Sequence, residues 1–309
     1  MSTELFALAG QDLHPEYILM RDGAGGAAMD GRRVCEELWQ RYSPKCRDPH
    51  FVSEFARQPL QRYTELRVYY ELAVKHGLRV APQKVGPDFV VQTPGGRAHV
   101  EVTTATVGED RSLRDLEAGF GAFTPLEDNC IARITQALDA KRKKVDKDAE
   151  RGHIGPNEPV LLVVNLVLPS VHMNCSDVPT ALKALLPIAP PRFYFQEDGG
   201  VRREDPLRWN FRKQSGAPIG VGLAMNPLYE KISSFMFLRS RPWQDGASSG
   251  PFAHQVQNPL SATALPGCLK VAQHQNSFTE VDGRFRLQGP IWSKEVHPGP
   301  YSGLIPLAI

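Results

Sequence analysis

The run Val160 to Leu168, Val-Leu-Leu-Val-Val-Asn-Leu-Val-Leu, constrains the fold more than any other part of this chain. Nearly every residue in it is Leu or β-branched, so it has no wet face to offer. A strand of that kind has to be covered on both sides, as in the centre of a sheet flanked by helices. As a helix it would be far too short to cross a bilayer, which takes about 20 apolar residues. With 309 residues, the chain is long enough to bury such a core.

The segments before this strand supply the covering layers. Pro59 is an acceptable first-turn residue for a helix that carries Leu60, Tyr63, Leu66, Tyr70, Ala73 and Val74 as an apolar stripe and stops at Gly77. Three short strands follow: Leu78 to Ala81, Asp88 to Thr93 and Arg97 to Ala105, the last two joined by Pro94-Gly95-Gly96. An amphipathic helix from Leu126 to Asp148 buries Ile131, Ile134, Leu138 and Val145. Its outer face is read as Lys141, Arg142, Lys143, Lys144 and Lys147. The order is helix, three strands, helix, central strand, an α/β core.

Outside that core the signals are weaker. Residues 1–50 read as a loop-rich N-terminal extension with one helix, Asp30 to Tyr42. Residues 51–170 form the core. Residues 171–309 complete the sheet and cover it, with a helix at Thr180 to Leu186 and strands at Pro218 to Leu223 and Ile232 to Arg239. A hairpin at Phe278 to Leu287 turns at Asp282-Gly283. Gly and Pro, 26 of each, are denser after Pro169, which marks this part as loop-rich.

Three acidic residues in the core carry the chemistry: Glu65 on the first helix, Asp88 at the mouth of one strand and Glu101 inside the next. A two-residue turn at Pro94-Gly95 pairs Asp88 with Glu101, whereas a bulge at Gly96 shifts the register by one. Two carboxylates that close repel unless a proton or cation lies between them. A hard ion such as Mg²⁺ prefers oxygen ligands and would resolve the repulsion. Glu101 in the middle of a central strand is costly to bury without such a partner. For each acid there is also a plain structural role: a turn residue at Asp88, an exposed strand acid at Glu101, and a bridge to Arg62 or Arg67 at Glu65.

The residues Gly86-Pro87-Asp88-Phe89, the hairpin and Glu101-Val-Thr103 resemble the PD-(D/E)xK phosphodiesterase superfamily, with its restriction-endonuclease-like mixed sheet flanked by helices. The resemblance spans Arg62 to Leu168. It implies metal-dependent hydrolysis of nucleic acid, DNA rather than RNA, with Asp88, Glu101 and Glu65 holding Mg²⁺ or Mn²⁺. The chain departs from the pattern where the superfamily carries Lys, because Thr103 stands there. Thr103 then orients the attacking water, and Lys141, or Lys84, approaches from elsewhere to supply the missing cation. Lys141 and Gln136 are expected to face the scissile phosphate, and Arg62, Lys143 and Lys144 to bind substrate. The alternative is a nucleic-acid-binding or assembly module that kept the fold and lost turnover.

Other classes find less support. The formal charge of +2, from 36 basic and 34 acidic residues, neither demands nor excludes a polyanionic partner. Five widely spaced cysteines without a CxxC pair argue against a disulfide framework or zinc cluster and for a reducing, cytoplasmic setting. No basic stretch followed by an apolar core opens the chain, which is read as no signal peptide. No membrane partner is expected. The nine histidines lack HExxH spacing. Gly23 to Ala28 superficially matches a dinucleotide loop, the basis of an oxidoreductase reading, but no suitable strand precedes it, and it is read as a flexible loop.

Overall fold

The computed structural model describes residues 4–10, 12–108, 113–114, 127–168, 179–187, 192–197, 199–204, 208, 210–212, 218–244, 252–281, 284–288 and 304–306. The helices are α1 (Pro15–Asp22), α2 (Gly26–Tyr42), α3 (Phe51–Arg57), α4 (Pro59–Tyr69), α5 (Glu127–Glu150) and α6 (Thr180–Leu185). The first strands are β1 (Arg79–Pro82), β2 (Phe89–Thr93), β3 (Gly96–Thr106) and β4 (Val160–Val167). Two small ribbons follow, β5 (Arg192–Phe195) with β6 (Val201–Glu204), and β7 (Asn210–Arg212) with β8 (Pro218–Gly220). The last strands are β9 (Ser234–Leu238), β10 (Phe252–Gln257), β11 (His274–Val281), β12 (Arg284–Gln288) and β13 (Leu304–Pro306).

A mixed sheet in the order β1-β2-β3-β4-β9-β10-β11 forms the middle layer, and β11 runs on past Asn276 to pair with β12, which pairs with β13. The β1-β2-β3 strands are antiparallel, while β3, β4 and β9 run parallel. All eight residues of β4 are buried, as an apolar run in a doubly covered strand requires. One face of the sheet holds Val100, Val102, Leu161 and Val163 against α2, α3 and α4; the other holds Ala105, Leu162 and Val164 against α5 and α6. Alternation along β3 and β4 assigns the two faces.

The hairpin keeps a plain register, Thr93 opposite Gly96 and Phe89 opposite Val100, with no bulge. Continued by one residue, it sets Asp88 opposite Glu101. α4 passes at Tyr70 into a wider π-helical turn, Tyr70–Lys75, before Gly77 at φ +64° ends it.

The N-terminal reading needs correction. In place of one helix there are three before α4, and they are part of the core. Phe6, Tyr17 and Phe55 form one aromatic cluster, and Trp39, Tyr42 and Phe51 another. Tyr42 also meets Phe89 of β2 at a centroid distance of 6.4 Å. The short helices α1 and α3 have little propensity of their own and are held by these rings, a tertiary cause that periodicity does not display. Gly26 and Ala28 belong to α2, so the glycine run is a helix corner and not a loop throughout; a Cβ on Gly23 would meet the Leu19 carbonyl at 2.4 Å. Pro218–Gly220 is shorter than expected and leads into a 3₁₀ turn at Leu223–Met225. The β11–β12 hairpin has the anticipated register, with Val281 opposite Arg284, and Asp282-Gly283 themselves lie outside the described residues.

One buried amide ties the layers together. Asn165 on β4 donates to Thr64 Oγ1 on α4 at 2.9 Å and to the Ser240 carbonyl at 2.9 Å, and accepts from the Ser240 N–H at 3.0 Å. Removing it leaves buried partners unsatisfied, which costs about 1–3 kcal/mol per group. Asn165→Leu is therefore expected to lower the unfolding free energy by about 3 kcal/mol in urea titration, with hydrophobic gain too small to compensate.

Candidate active site

Asp88 is placed by a turn that only Gly can make comfortably. Gly86 has φ +90°, and a Cβ there would lie 3.1 Å from His153. The turn leaves the Asp88 carboxylate at the mouth of β2, where its Oδ2 accepts the Val102 N–H of β3 at 2.7 Å. Glu101, fully buried on β3, faces α5 together with His99 and Thr103.

From α5, two lysines one turn apart reach both acids. Lys141 Nζ donates to Asp88 Oδ2 at 2.9 Å and to Glu101 Oε2 at 2.9 Å. Lys144 Nζ donates to Asp88 Oδ1 at 3.0 Å and to Glu101 Oε1 and Oε2 at 2.7 and 2.9 Å. The result is a closed box of two carboxylates and two ammonium groups. The expectation that Lys141 and Lys144 lie on the outer face of the helix is thus corrected: both are turned to the sheet. An i, i+3 pair shares one helical face, while Lys143 at the intervening position is 61% exposed and bridges Asp139 at 2.7 Å.

The two acids are driven apart electrostatically. Burial raises the Asp88 pKa, but Lys141 and Lys144, together with the Val102 N–H, overcome this and hold its carboxyl well below the usual range. For Glu101, burial and then the neighbouring Asp88 charge win over the lysines, and its pKa is pushed up to about 7. Burial lowers the Lys141 pKa, yet the two carboxylates more than offset it and hold it above its ordinary value. Asp88 is thus the permanent anion of the pair, and Glu101 exchanges a proton near neutrality.

Glu65 stands behind this box, on α4. Burial raises its pKa first, and Asp88 adds to the rise; Arg62 and Lys141 partly counter them. Its Oε2 accepts from Arg62 Nη1 at 2.7 Å and its Oε1 from Gln61 Nε2 at 3.3 Å, while Gln61 Nε2 also donates to the Val102 carbonyl at 3.2 Å. Arg62 is not offered to a substrate: it pairs with Glu54, with Asp48 at 3.1 Å and with Glu65, and stacks over the Phe51 ring. Gln136 is exposed and accepts from Arg133, which in turn binds the Thr106 carbonyl, so neither it nor Lys143 joins the box. Thr103 follows Glu101 on the same face of β3 and is 9% exposed.

Gln61, and Glu158 as the partner of His99 with Nε2 to Oε2 at 2.6 Å, belong to these surroundings and were not foreseen; His99 itself has the hydrogen-bonded strand role expected of it. The α4 periodicity, with Gln61 four residues before Glu65, was the available signal for Gln61; Glu158 lies in a loop and gave none. An open cleft of about 330 Å³ runs past Glu65, Asp88 and Lys144 between α5 and the loop joining β1 to β2. A larger cavity of about 450 Å³ is lined by Val145, Ile154, Pro156 and Leu260 and does not include the acids. The cleft, with its charged groups, is the better candidate for chemistry.

The donor set suits a hard divalent ion only in part. Asp88 and Glu101 supply carboxylate oxygens, but among the described residues no three His, Cys, Asp or Glu side chains are gathered as a metal group. The lysines occupy the inward oxygens, so an ion must displace one. Lys144, 37% exposed against 16% for Lys141, has the way out to solvent. Asp88 and Glu101 would hold such an ion as two carboxylates only with Lys144 displaced, and water would have to complete its shell.

The raised Glu101 pKa carries a pH signature. A group whose folded pKa is about 7 against an ordinary 4.5 adds stability that is full below pH 4.5 and lost as pH rises through 7. The loss is of order 3 kcal/mol, and Glu65, raised for the same reason, acts in the same direction. Asp88, with its lowered pKa, acts oppositely and only in more acid solution, as pH falls below its ordinary 3.8. Urea titrations between pH 4.5 and 7 are expected to show stability falling with pH, and Glu101→Gln to flatten that slope whatever its absolute stability.

Among the described residues no helix is long and apolar enough to cross a membrane, and Cys35, Cys46, Cys130 and Cys268 form no disulfide. Compared with protein-family models, curated proteins and solved structures, the chain matches none.

Proposed function

We propose that this chain is a Mg²⁺- or Mn²⁺-dependent phosphodiesterase that hydrolyses nucleic acid, DNA in the first place, on a restriction-endonuclease-like core made of α4, β1 to β3, α5 and β4. The observation that carries the reading is the meeting of Asp88, Glu101 and Lys141 at one point of the sheet, with 2.9 Å from the ammonium to each acid. The core helix-strand order and the plain hairpin register support it.

In this reading Asp88 and Glu101 hold the ion, which when bound polarises the phosphate and makes water a better nucleophile. Asp88, always ionised, contributes fixed charge. Glu101, poised near neutrality, would accept a proton from water at Oε1 once Lys144 has left that oxygen. Lys141 Nζ stays between the acids and presents its remaining proton to the phosphate oxygen, where negative charge grows. It thus supplies from α5 the cation that Thr103 cannot supply from β3. Thr103 orients the attacking water through its hydroxyl. Glu65, in the middle of α4, feels the Asp88 charge and would accept a hydrogen bond from a water of the ion's shell.

The second reading, a nucleic-acid-binding module without turnover, draws on one specific observation: both acids are already bridged by two ammonium groups, without any ion between them. Titration calorimetry with Mg²⁺ and Mn²⁺, alongside release of label from linear single- and double-stranded DNA, separates the two. The phosphodiesterase binds metal and cleaves, and Asp88→Ala and Glu101→Ala lose both. Lys141→Met is expected to lower the cleavage rate by about 10²–10³-fold with metal binding retained. Lys144→Ala, which removes the competing cation, is expected to tighten metal binding by about tenfold, or roughly 1.4 kcal/mol. A folded wild type that binds neither ion leaves the binding module as the reading.

A further inference from the structure

The charges along the cleft are distributed unequally about the acids. At one end Arg62 is a single cation against three acids, Asp48, Glu54 and Glu65, and every one of them is within pairing distance of it. That end has no positive charge left to offer. At the other end stand Lys147 and Arg151, which continue the Lys144 stripe of α5 by one and two turns, and Lys84 on the loop that forms the opposite wall. All three are exposed, and none has an acidic partner among the described residues. Asp148, between Lys147 and Arg151, is buried and turned toward His153.

A cation in the last turn of a helix has an ordinary role, since it complements the partial negative charge of the helix C-terminus. That role covers Lys147 and Arg151. It does not cover Lys84, which belongs to no helix and faces the same cleft from the other side. Two walls converging with unpaired cations on one side of the acids, and an excess of acid on the other, describe a track for a chain of phosphates that stops at the acids.

From this asymmetry we infer that Lys84, Lys147 and Arg151 hold the phosphates on one side of the scissile bond only, so that the protein takes a nucleic-acid strand by its end. The inference rests on the phosphodiesterase reading for the position of the scissile bond, and it names the substrate class of that site: strands with a free terminus. Arg151 lies about 10 Å along the helix axis beyond Lys144, far enough for the track to engage more than one phosphate. A closed circle cannot leave the Arg62 end of the cleft empty. Its continuing backbone would be pushed against Asp48 and Glu65, which line that end.

Binding measured without metal tests the track separately from turnover. The probe is a short fluorescein-labelled single-stranded DNA, linear or ligated into a circle of the same sequence, in EDTA over a range of salt. The wild type is expected to bind the linear form at least tenfold more tightly. The triple variant Lys84→Ala/Lys147→Ala/Arg151→Ala should have a salt slope shallower by about 2, from three lost phosphate contacts on a single strand. Arg33→Ala, an exposed pair with Asp30 and Glu37 on α2, should leave the slope unchanged. Thermal melts establish that each variant is folded. Equal affinity for circle and line, or an unchanged slope in the triple variant, overturns the inference even if the protein cleaves DNA. Conversely, end-selective binding without any cleavage in Mg²⁺ leaves the track standing and removes the phosphodiesterase reading.

Discussion

Two ammonium groups make it possible for this sheet to carry two carboxylates at its centre. Isolated ions transferred to the interior lose several kcal/mol of solvation each, and two anions side by side repel as well. Lys141 and Lys144 each span Asp88 and Glu101 and answer these costs fully at Asp88 and in part at Glu101, where burial and the Asp88 charge still raise the pKa. The arrangement also binds α5 to β3 at the point where β2 begins. Removing one member of such a cluster is more damaging than its absence from the start would be, because three buried charges remain without balance.

The cluster sits where side-chain hydrogen bonds join α4 to β3 and β4. Behind it, Gln61 and Glu65 of α4 touch the Val102 carbonyl and Arg62, and Thr64 of the same helix bonds Thr104 of β3 at 2.9 Å and accepts from Asn165 of β4. Two layers are thus tied to consecutive residues of one strand. The aromatic clusters of α1, α2 and α3 hold α4 from outside. The N-terminal helices matter for the site through this packing, even though they supply to it only the Arg62 partners Asp48 and Glu54 and the ring of Tyr42 at the cleft.

A site built in this way has unequal acids. Identical carboxyl chemistry yields a permanent anion at Asp88, which takes a backbone N–H and faces two lysines, and a proton acceptor near neutrality at Glu101, which is deeper and feels the Asp88 charge. Environment separates the roles, as it does wherever paired carboxylates divide acid and base work. Lys144 bonds both acids and also lines the cleft, so it is the member of the box that solvent reaches most easily.

Local rules were enough for part of this. The apolar run of β4 required cover on both faces, and the two-residue Pro94-Gly95 turn set the hairpin register that puts Asp88 opposite Glu101, because side-chain alternation and turn length are properties of neighbouring residues. The i, i+3 spacing of Lys141 and Lys144 was equally legible as a shared face. Which way that face turns was not, since a lysine stripe reads as solvated until a partner acid is known to stand beneath it. α1 and α3 were hidden for the same reason: their stability comes from Phe6, Tyr17, Phe51 and Phe55 meeting across gaps in sequence. Arg62, Gln136 and Lys143 have the right chemistry for phosphate, and only the packed structure shows the first already committed to three acids and the others turned away. Sequence determined which residues have the right chemistry; the tertiary structure decided which of them meet, because pairing of charges depends on distances that no spacing along the chain contains.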